Sequence, residues 1–227
     1  MTVRSVHSRA ALDEGLGHLQ RDVRALASLV DVALERSIRA LERLDQDLAA
    51  SVIRDDALTN DLRFRVEDRA IHIIATQQPI AGDLRLIIAA LNVVVELERM
   101  GDYCAGIARV VQLHEGKQLL KPLIDVPRMR DLLRELMRDA VDAFIERDAA
   151  KARQVAARDD EVDRLYDQIY RELLTYMLAD PTTIDRATWL LWVAHDLERM
   201  GDRVQNICER TVYEVEGVMR EFASRNR

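Results

Sequence analysis

The sequence predicts an all-α fold of two tandem three-helix bundles related by internal duplication, and three observations carry that prediction. Eight glycines and four prolines in 227 residues are less than half the share usual in globular chains. Neither residue occurs between Gly17 and Pro79, or between Pro127 and Pro181, so only long helices with few connections fit these stretches. The hexapeptide LERMGD occurs at Leu97–Asp102 and again, unchanged, at Leu197–Asp202, an offset of 100. Upstream the halves align at an offset of 103, pairing Ala40 with Ala143, Asp45 with Asp148, Asp56 with Asp159 and Asn60 with Asp163. The three-residue difference marks a loop where QQPIAGDLR (Gln77–Arg85) faces MLADPTTID (Met177–Asp185).

Helices are predicted near 6–43, 47–77 and 82–115, then 128–146, 149–179 and 183–222. The first carries the amphipathic spacing Leu26, Leu29, Val30, Ala33, Ser37, Leu41, Leu44. Asp45 or Asp47 caps the second and Asp83 the third, while Asp180 before Pro181 caps the sixth with proline in its first turn. The spacer from His114 to Pro127 separates the halves, giving repeats 1–118 and 119–227. With 48% apolar residues the chain can fill the cores such bundles need.

Charge and composition exclude several classes. A net charge of −7 opposes a polyanion, so nucleic acid is not an expected partner. The most apolar stretch, Leu84 to Val95, stops well short of the ~20 residues that span a bilayer, and the start carries no signal-peptide core. A cytoplasmic protein without direct membrane insertion is expected. Cys104 and Cys208 lie in helical pattern and read as small buried hydrophobes. Gly116-Lys117 lacks the surroundings of a phosphate loop, and no HExxH or CxxC occurs.

The chemistry lies in carboxylates that continue apolar helical faces. At 100° per residue Glu98 and Asp102 fall on the line of Leu84, Ile88, Leu91 and Val95. In the sixth helix Glu198, Asp202 and Asn206 continue the face of Ile184, Leu191 and Ala194, and in the fifth Asp159 and Asp163 share a face with Val155, Val162, Tyr166, Tyr170 and Met177. Like charges at i, i+4 cost a helix ~0.2–0.5 kcal/mol even in water, so something positive must compensate. Three readings stand: a hard cation such as Mg²⁺, Mn²⁺, Ca²⁺ or iron held by carboxylate and amide oxygens, internal pairing with Arg99, Arg199 and other arginines, or a solvated face. In the first half the set is weaker, with Asn60 for Asp163, Gly106 for Asn206, and Arg63 on the line of Asp56 and Asn60, where it could itself neutralise Glu98 and Asp102.

The segments QQPIAGDLR through ELERMGD, and HDLERMGDRVQNICERTVYEVEG (His195–Gly217), resemble the two signature regions of the PhoU family of phosphate-signalling regulators. The resemblance runs from ALERLDQDLAASVIRDD (Ala40–Asp56) to Gly217. It implies a duplicated three-helix bundle, in a soluble and homodimeric bacterial protein acting with the ATPase subunit of the Pst phosphate transporter and a PhoR-type histidine kinase. There it restrains the Pho regulon and phosphate uptake when phosphate is sufficient. Some members carry multinuclear iron clusters on E(D)xxxD motifs, which map here to Asp159/Asp163 with Glu198/Asp202, and to Asp56/Asn60 with Glu98/Asp102.

Arg85 is a candidate partner contact, with pairing to a nearby acid as the alternative. His195 reads as a surface or packing histidine before a ligand, Trp189 and Trp192 as core before partner surface, and Gly217 as loosening the final helix. Against the adaptor stand a weak metal-dependent hydrolase, a paralogue regulating another transporter, and a metal-free scaffold. A ferritin-like di-iron enzyme fails on spacing, because no histidine follows Glu or Asp by three residues.

Overall fold

The computed structural model describes residues 3–114, 116–218 and Phe222. The described residues form seven α-helices: α1 (Val3–Arg43), α2 (Gln46–Gln77), α3 (Ala81–Leu113), α4 (Asp125–Glu146), α5 (Ala149–Ala156), α6 (Asp159–Ala179) and α7 (Ile184–Glu216). One 3₁₀ turn, Pro181–Thr183, precedes α7. No strand occurs among the described residues. Helices α1, α2 and α3 pack as one bundle and α4, α5/α6 and α7 as the second. A single continuous core joins them, because α3 lies along α7 and α1 along α4. No helix among the described residues is long and apolar enough to cross a membrane.

The duplication extends to backbone detail. Leu44 and Arg147 are both left-handed, at φ 51° and 58°. Each is followed by an aspartate whose N–H returns to a carbonyl five residues back, Asp45 to Ala40 and Asp148 to Ala143. The two carboxylates then cap the next helix, Asp45 accepting from Leu48 N–H and Asp148 from Ala150 and Lys151 N–H, all at 2.9 Å.

Four expectations are corrected. The helix foreseen over 149–179 is interrupted at Ala157–Arg158, without glycine or proline; three acids, Asp159, Asp160 and Glu161, open α6, where they complement its dipole. Asp83 does not cap α3: the helix starts at Ala81 with Ile80 at the cap, and the Asp83 carboxylate accepts instead from Arg9 of α1 at 2.7 Å. The last helix ends at Glu216, with Gly217 left-handed at φ 74° as its stop rather than a loose point within it. The remainder of its foreseen run to 222 includes 219–221, which lie outside the described residues. Trp189 packs on the core, edge-on to His114 at 4.8 Å and under Lys117 at 4.6 Å, but Trp192 is 50% exposed. Asp180 caps as foreseen, accepting from Thr182 N–H at 2.9 Å, and both cysteines are buried and free.

Candidate functional site

The two LERMGD segments lie at the crossing of α3 and α7, which run antiparallel: Glu96 meets Asn206, and Asp196 meets Gly106. Across this seam Glu96 Oε2 accepts from Asn206 Nδ2 and from Arg203 Nη1, each at 3.1 Å. Arg199 bonds Tyr103. Where Glu96 is held by two donors, Asp196 lies over Gly106 so tightly that a Cβ there would stand 2.8 Å from its Oδ2. Burial pushes the Asp196 carboxyl up to about 6, against the pull of His195 and Arg109. Glu96, Asp196, Arg203 and Tyr103 were not anticipated as parts of a seam, and Asn206 was foreseen in another role. The signal was present in the acid that precedes both hexapeptides by one position, Glu96 and Asp196.

Away from the seam each bundle presents one acidic face. The core side of α3 is the line Leu86, Ala90, Val93, Leu97, Met100 and Cys104, all buried. Leu84 and Ile88, on the line of Glu98 and Asp102, are more than a third exposed, so this line is the outer margin of the helix and not its core face. The glycine of each hexapeptide lets the partner helix's aspartate approach: a Cβ on Gly201 would stand 3.0 Å from Asp159 Oδ1, and one on Gly101 3.4 Å from Asp56 Oδ1.

The second face brings Asp159, Asp163, Glu198 and Asp202 together between α6 and α7. Burial, and then repulsion from Asp163, Asp202 and Glu198, push the Asp159 carboxyl up to about 7. Asp163 is raised by burial and by Asp202. Among the described residues neither Asp159 nor Asp163 has a basic side chain within 4 Å, whereas Asp202 meets Arg199 of its own helix at 3.2 Å. His195 Nδ1 is 3.7 Å from Glu198 Oε2, and its ring lies 6.3 Å from Tyr166. Asn206, foreseen with this group, directs its amide to Glu96 across the seam.

The first face is closed by its own arginines. Arg63 donates to Glu67 at 2.8 Å and to Glu98 at 2.9 Å. Burial raises the Asp56 carboxyl, Arg109 pulling it back and Glu98 adding to the rise. Burial and then Asp56 raise Asp102, with Arg109, Arg63 and Arg99 opposing. Asn60 turns its amide to the Asp56 carbonyl at 3.5 Å. Arg63 on Glu98 Oε1 thus supplies positive charge to this face from within the chain. The second face offers the all-oxygen donors a hard cation takes. Its side chains are not gathered in a ligating arrangement, for no group of three or more His, Cys, Asp or Glu among the described residues is poised to hold an ion. Arg85, the candidate partner contact, donates from Nε to the Glu214 carbonyl at 3.4 Å and packs against Gly217.

The comparisons with known proteins agree with this duplicated architecture. The PhoU domain model matches twice, over residues 23–111 and 126–211. The chain is 34% identical over 211 residues to the phosphate-specific transport system accessory protein PhoU homolog of Clostridium acetobutylicum, covering 92% of this chain and 96% of that protein. It is 39% identical over 202 residues to the homolog of Aquifex aeolicus, covering 89% and 91%. Among solved structures, PhoU of Pseudomonas aeruginosa superposes with a TM-score of 0.85 at 34% identity, covering 91% of this chain and 99% of that one. The phosphate transport system regulatory protein PhoU of Streptococcus pneumoniae gives 0.86 at 29% identity, covering 93% and 100%. With both repeats matched and the whole fold shared, the chain belongs to the PhoU family.

Proposed function

We propose that this chain is a non-enzymatic accessory of a phosphate-uptake system, acting in the cytoplasm as an adaptor between a Pst-type transporter ATPase subunit and a PhoR-type histidine kinase. In this reading it restrains the phosphate-starvation response and uptake when phosphate is plentiful. The observation that carries it is end-to-end kinship with proteins named as phosphate-specific transport system accessory proteins. Both thiols argue against a catalytic nucleophile: they are buried, Cys104 pushed far up and Cys208 up to about 12. Deleting the gene in its host should leave phosphate-starvation genes active in phosphate-rich medium. Normal repression in that strain would refute the assignment, whereas starvation genes that stay active when the kinase gene is deleted as well would refute the link to the kinase.

In the same reading the second face holds a cation. Asp159, Asp163, Glu198 and Asp202 are the residues that would bind iron, or Mn²⁺, Mg²⁺ or Ca²⁺; the bound ion would supply positive charge to four carboxylates on two facing helices. The raised Asp159 carboxyl supports this, because such a cluster is relieved by any added positive charge. Elemental analysis of the purified protein, with thermal stability before and after chelation, tests it. Metal retained and a melting temperature lowered by chelation are expected. Absence of metal together with indifference to added Fe, Mn and Mg would overturn the cation and leave the adaptor reading intact.

A further inference from the structure

The internal duplication supplies a control for reading the second face. On α6 the line Tyr166, Tyr170, Leu174, Leu178 climbs at i, i+4 from the acidic cluster towards the turn into α7. Tyr170, Leu174 and Leu178 are exposed, Leu178 to 85%. α7 runs antiparallel beside it, as the contacts Asp159 to Gly201 and Tyr166 to His195 fix, and presents exposed Trp192 and Ile184 on the way to the same turn. One continuous strip therefore passes from apolar at the tip, through Tyr166 and His195, to Asp163 and Asp159 at the base. From Leu178 to Asp159 it is about 28 Å long at 1.5 Å per residue.

The first bundle does not keep this strip. It retains exposed Ile71, Leu84 and Ile88, but Glu67 stands at the place of Tyr170 and Asn92 at that of Trp192. Arg63 stands at the place of Tyr166 and bonds both Glu67 and Glu98. The positive charge that closes the first face is thus built into the chain. On the second face the same position is aromatic; Arg199 and Arg203 meet Asp202 of their own helix at 3.2 and 3.8 Å, but Asp159 and Asp163 of α6 have no basic side chain within 4 Å among the described residues. Exposed large aromatics beside an acidic cluster match a ligand that is apolar at one end and cationic at the other. Anionic lipid would be repelled by the acidic end.

We propose that the α6–α7 face is a docking groove for a basic amphipathic helix of a partner protein, whose apolar side chains cover Tyr170, Leu174 and Trp192 while a Lys or Arg at its far end reaches Asp163 and Asp159. This deepens the adaptor reading and rests on it, but not on the cation. The test uses the full chain after chelator treatment, so the docking and cation readings fail separately. The probe is a fluorescent peptide of about 20 residues, helical by design, with leucines on one face of its first three turns and arginines on the same face of its last two. Saturable binding is expected, weakened about tenfold or more by Tyr170→Ala, Trp192→Ala or Asp163→Asn, each first shown by circular dichroism and melting to fold normally. The first-face variants Ile71→Ala and Ile88→Ala should change affinity less than about twofold. A peptide with glutamates for arginines should not bind. Equal loss from first-face variants, binding of the acidic peptide, or a self-association that Trp192→Ala abolishes would each overturn the proposal, the last by assigning the face to a second copy of the chain.

Discussion

Asp159→Asn should stabilise the protein, and only at neutral to alkaline pH. The Asp159 carboxyl rises from its ordinary 3.8 to about 7, so the folded state holds this proton more tightly than the unfolded state does. The sign follows: no penalty below about pH 4, a penalty growing as pH rises between the two values, and its full size above about pH 7. At 1.36 kcal/mol per pH unit the full shift corresponds to about 4 kcal/mol. Partial exposure of the side chain screens this to roughly 2 kcal/mol. Removing a charge from the first turn of α6 forfeits up to ~1 kcal/mol of dipole interaction, leaving a net gain of ~1–2 kcal/mol. Asparagine keeps the shape of the side chain lying over Gly201, so packing should not change sides in the balance. Melting in chelator at about pH 8 should rise by ~2–8 °C over the parent, with no rise at about pH 4. A variant less stable at pH 8, or a difference that ignores pH, would show that the four carboxylates do not confront one another.

Arg63→Ala should cost ~1–3 kcal/mol, because it strips the partner from Glu98, only 14% exposed; urea unfolding measures this, and the corresponding Tyr166→Ala should show no electrostatic component when salt is varied. Gly201→Ala places a methyl 3.0 Å from Asp159 Oδ1 and 3.2 Å from Val162, so ~1–3 kcal/mol of crowding outweighs the ~1 kcal/mol helix gain and the melting temperature falls. Gly82→Ala, with nothing within 4 Å of the new methyl, should instead raise it slightly. Asp148→Ala removes two capping bonds and should lower stability by ~1 kcal/mol, read from the denaturation midpoint.

Features decided within one turn of chain were legible in the sequence. Asp45 and Asp180 were readable as caps because a cap depends on the few residues that follow it. Asp83 was not, because its partner, Arg9, is 74 residues away. The break at Ala157–Arg158 carried no glycine or proline to announce it. The phase of α3 was misplaced for a further reason: the helix packs against α1, α2 and α7 together, so it is apolar over most of its circumference and a helical wheel cannot single out the buried line. The pairing of acids between α6 and α7 survived that error, since both helices carried it at i, i+4 and the hairpin turn brings them face to face.

Duplication also indicates which part of the acidic arrangement carries a constraint of its own. Gly101 and Gly201 each sit within a helix, where alanine would be favoured by up to ~1 kcal/mol, yet both copies of the hexapeptide keep glycine. At Gly201 the reason is visible in the Asp159 oxygen seated against it, an approach that a methyl would block. A chain under no demand at these faces would gain by losing the glycine and moving the acid into water. Instead the approach is kept in both bundles while the response to it differs, by an internal arginine in the first and an aromatic wall in the second. The close packing of carboxylate on backbone is therefore common to both faces, and the divergence lies in where the compensating charge comes from. On the second face Arg199 and Arg203 of α7 meet Asp202 at 3.2 and 3.8 Å, but Asp159 and Asp163 have no basic side chain within 4 Å among the described residues, and it is this imbalance on α6 that the ion and the partner side chain proposed above would answer.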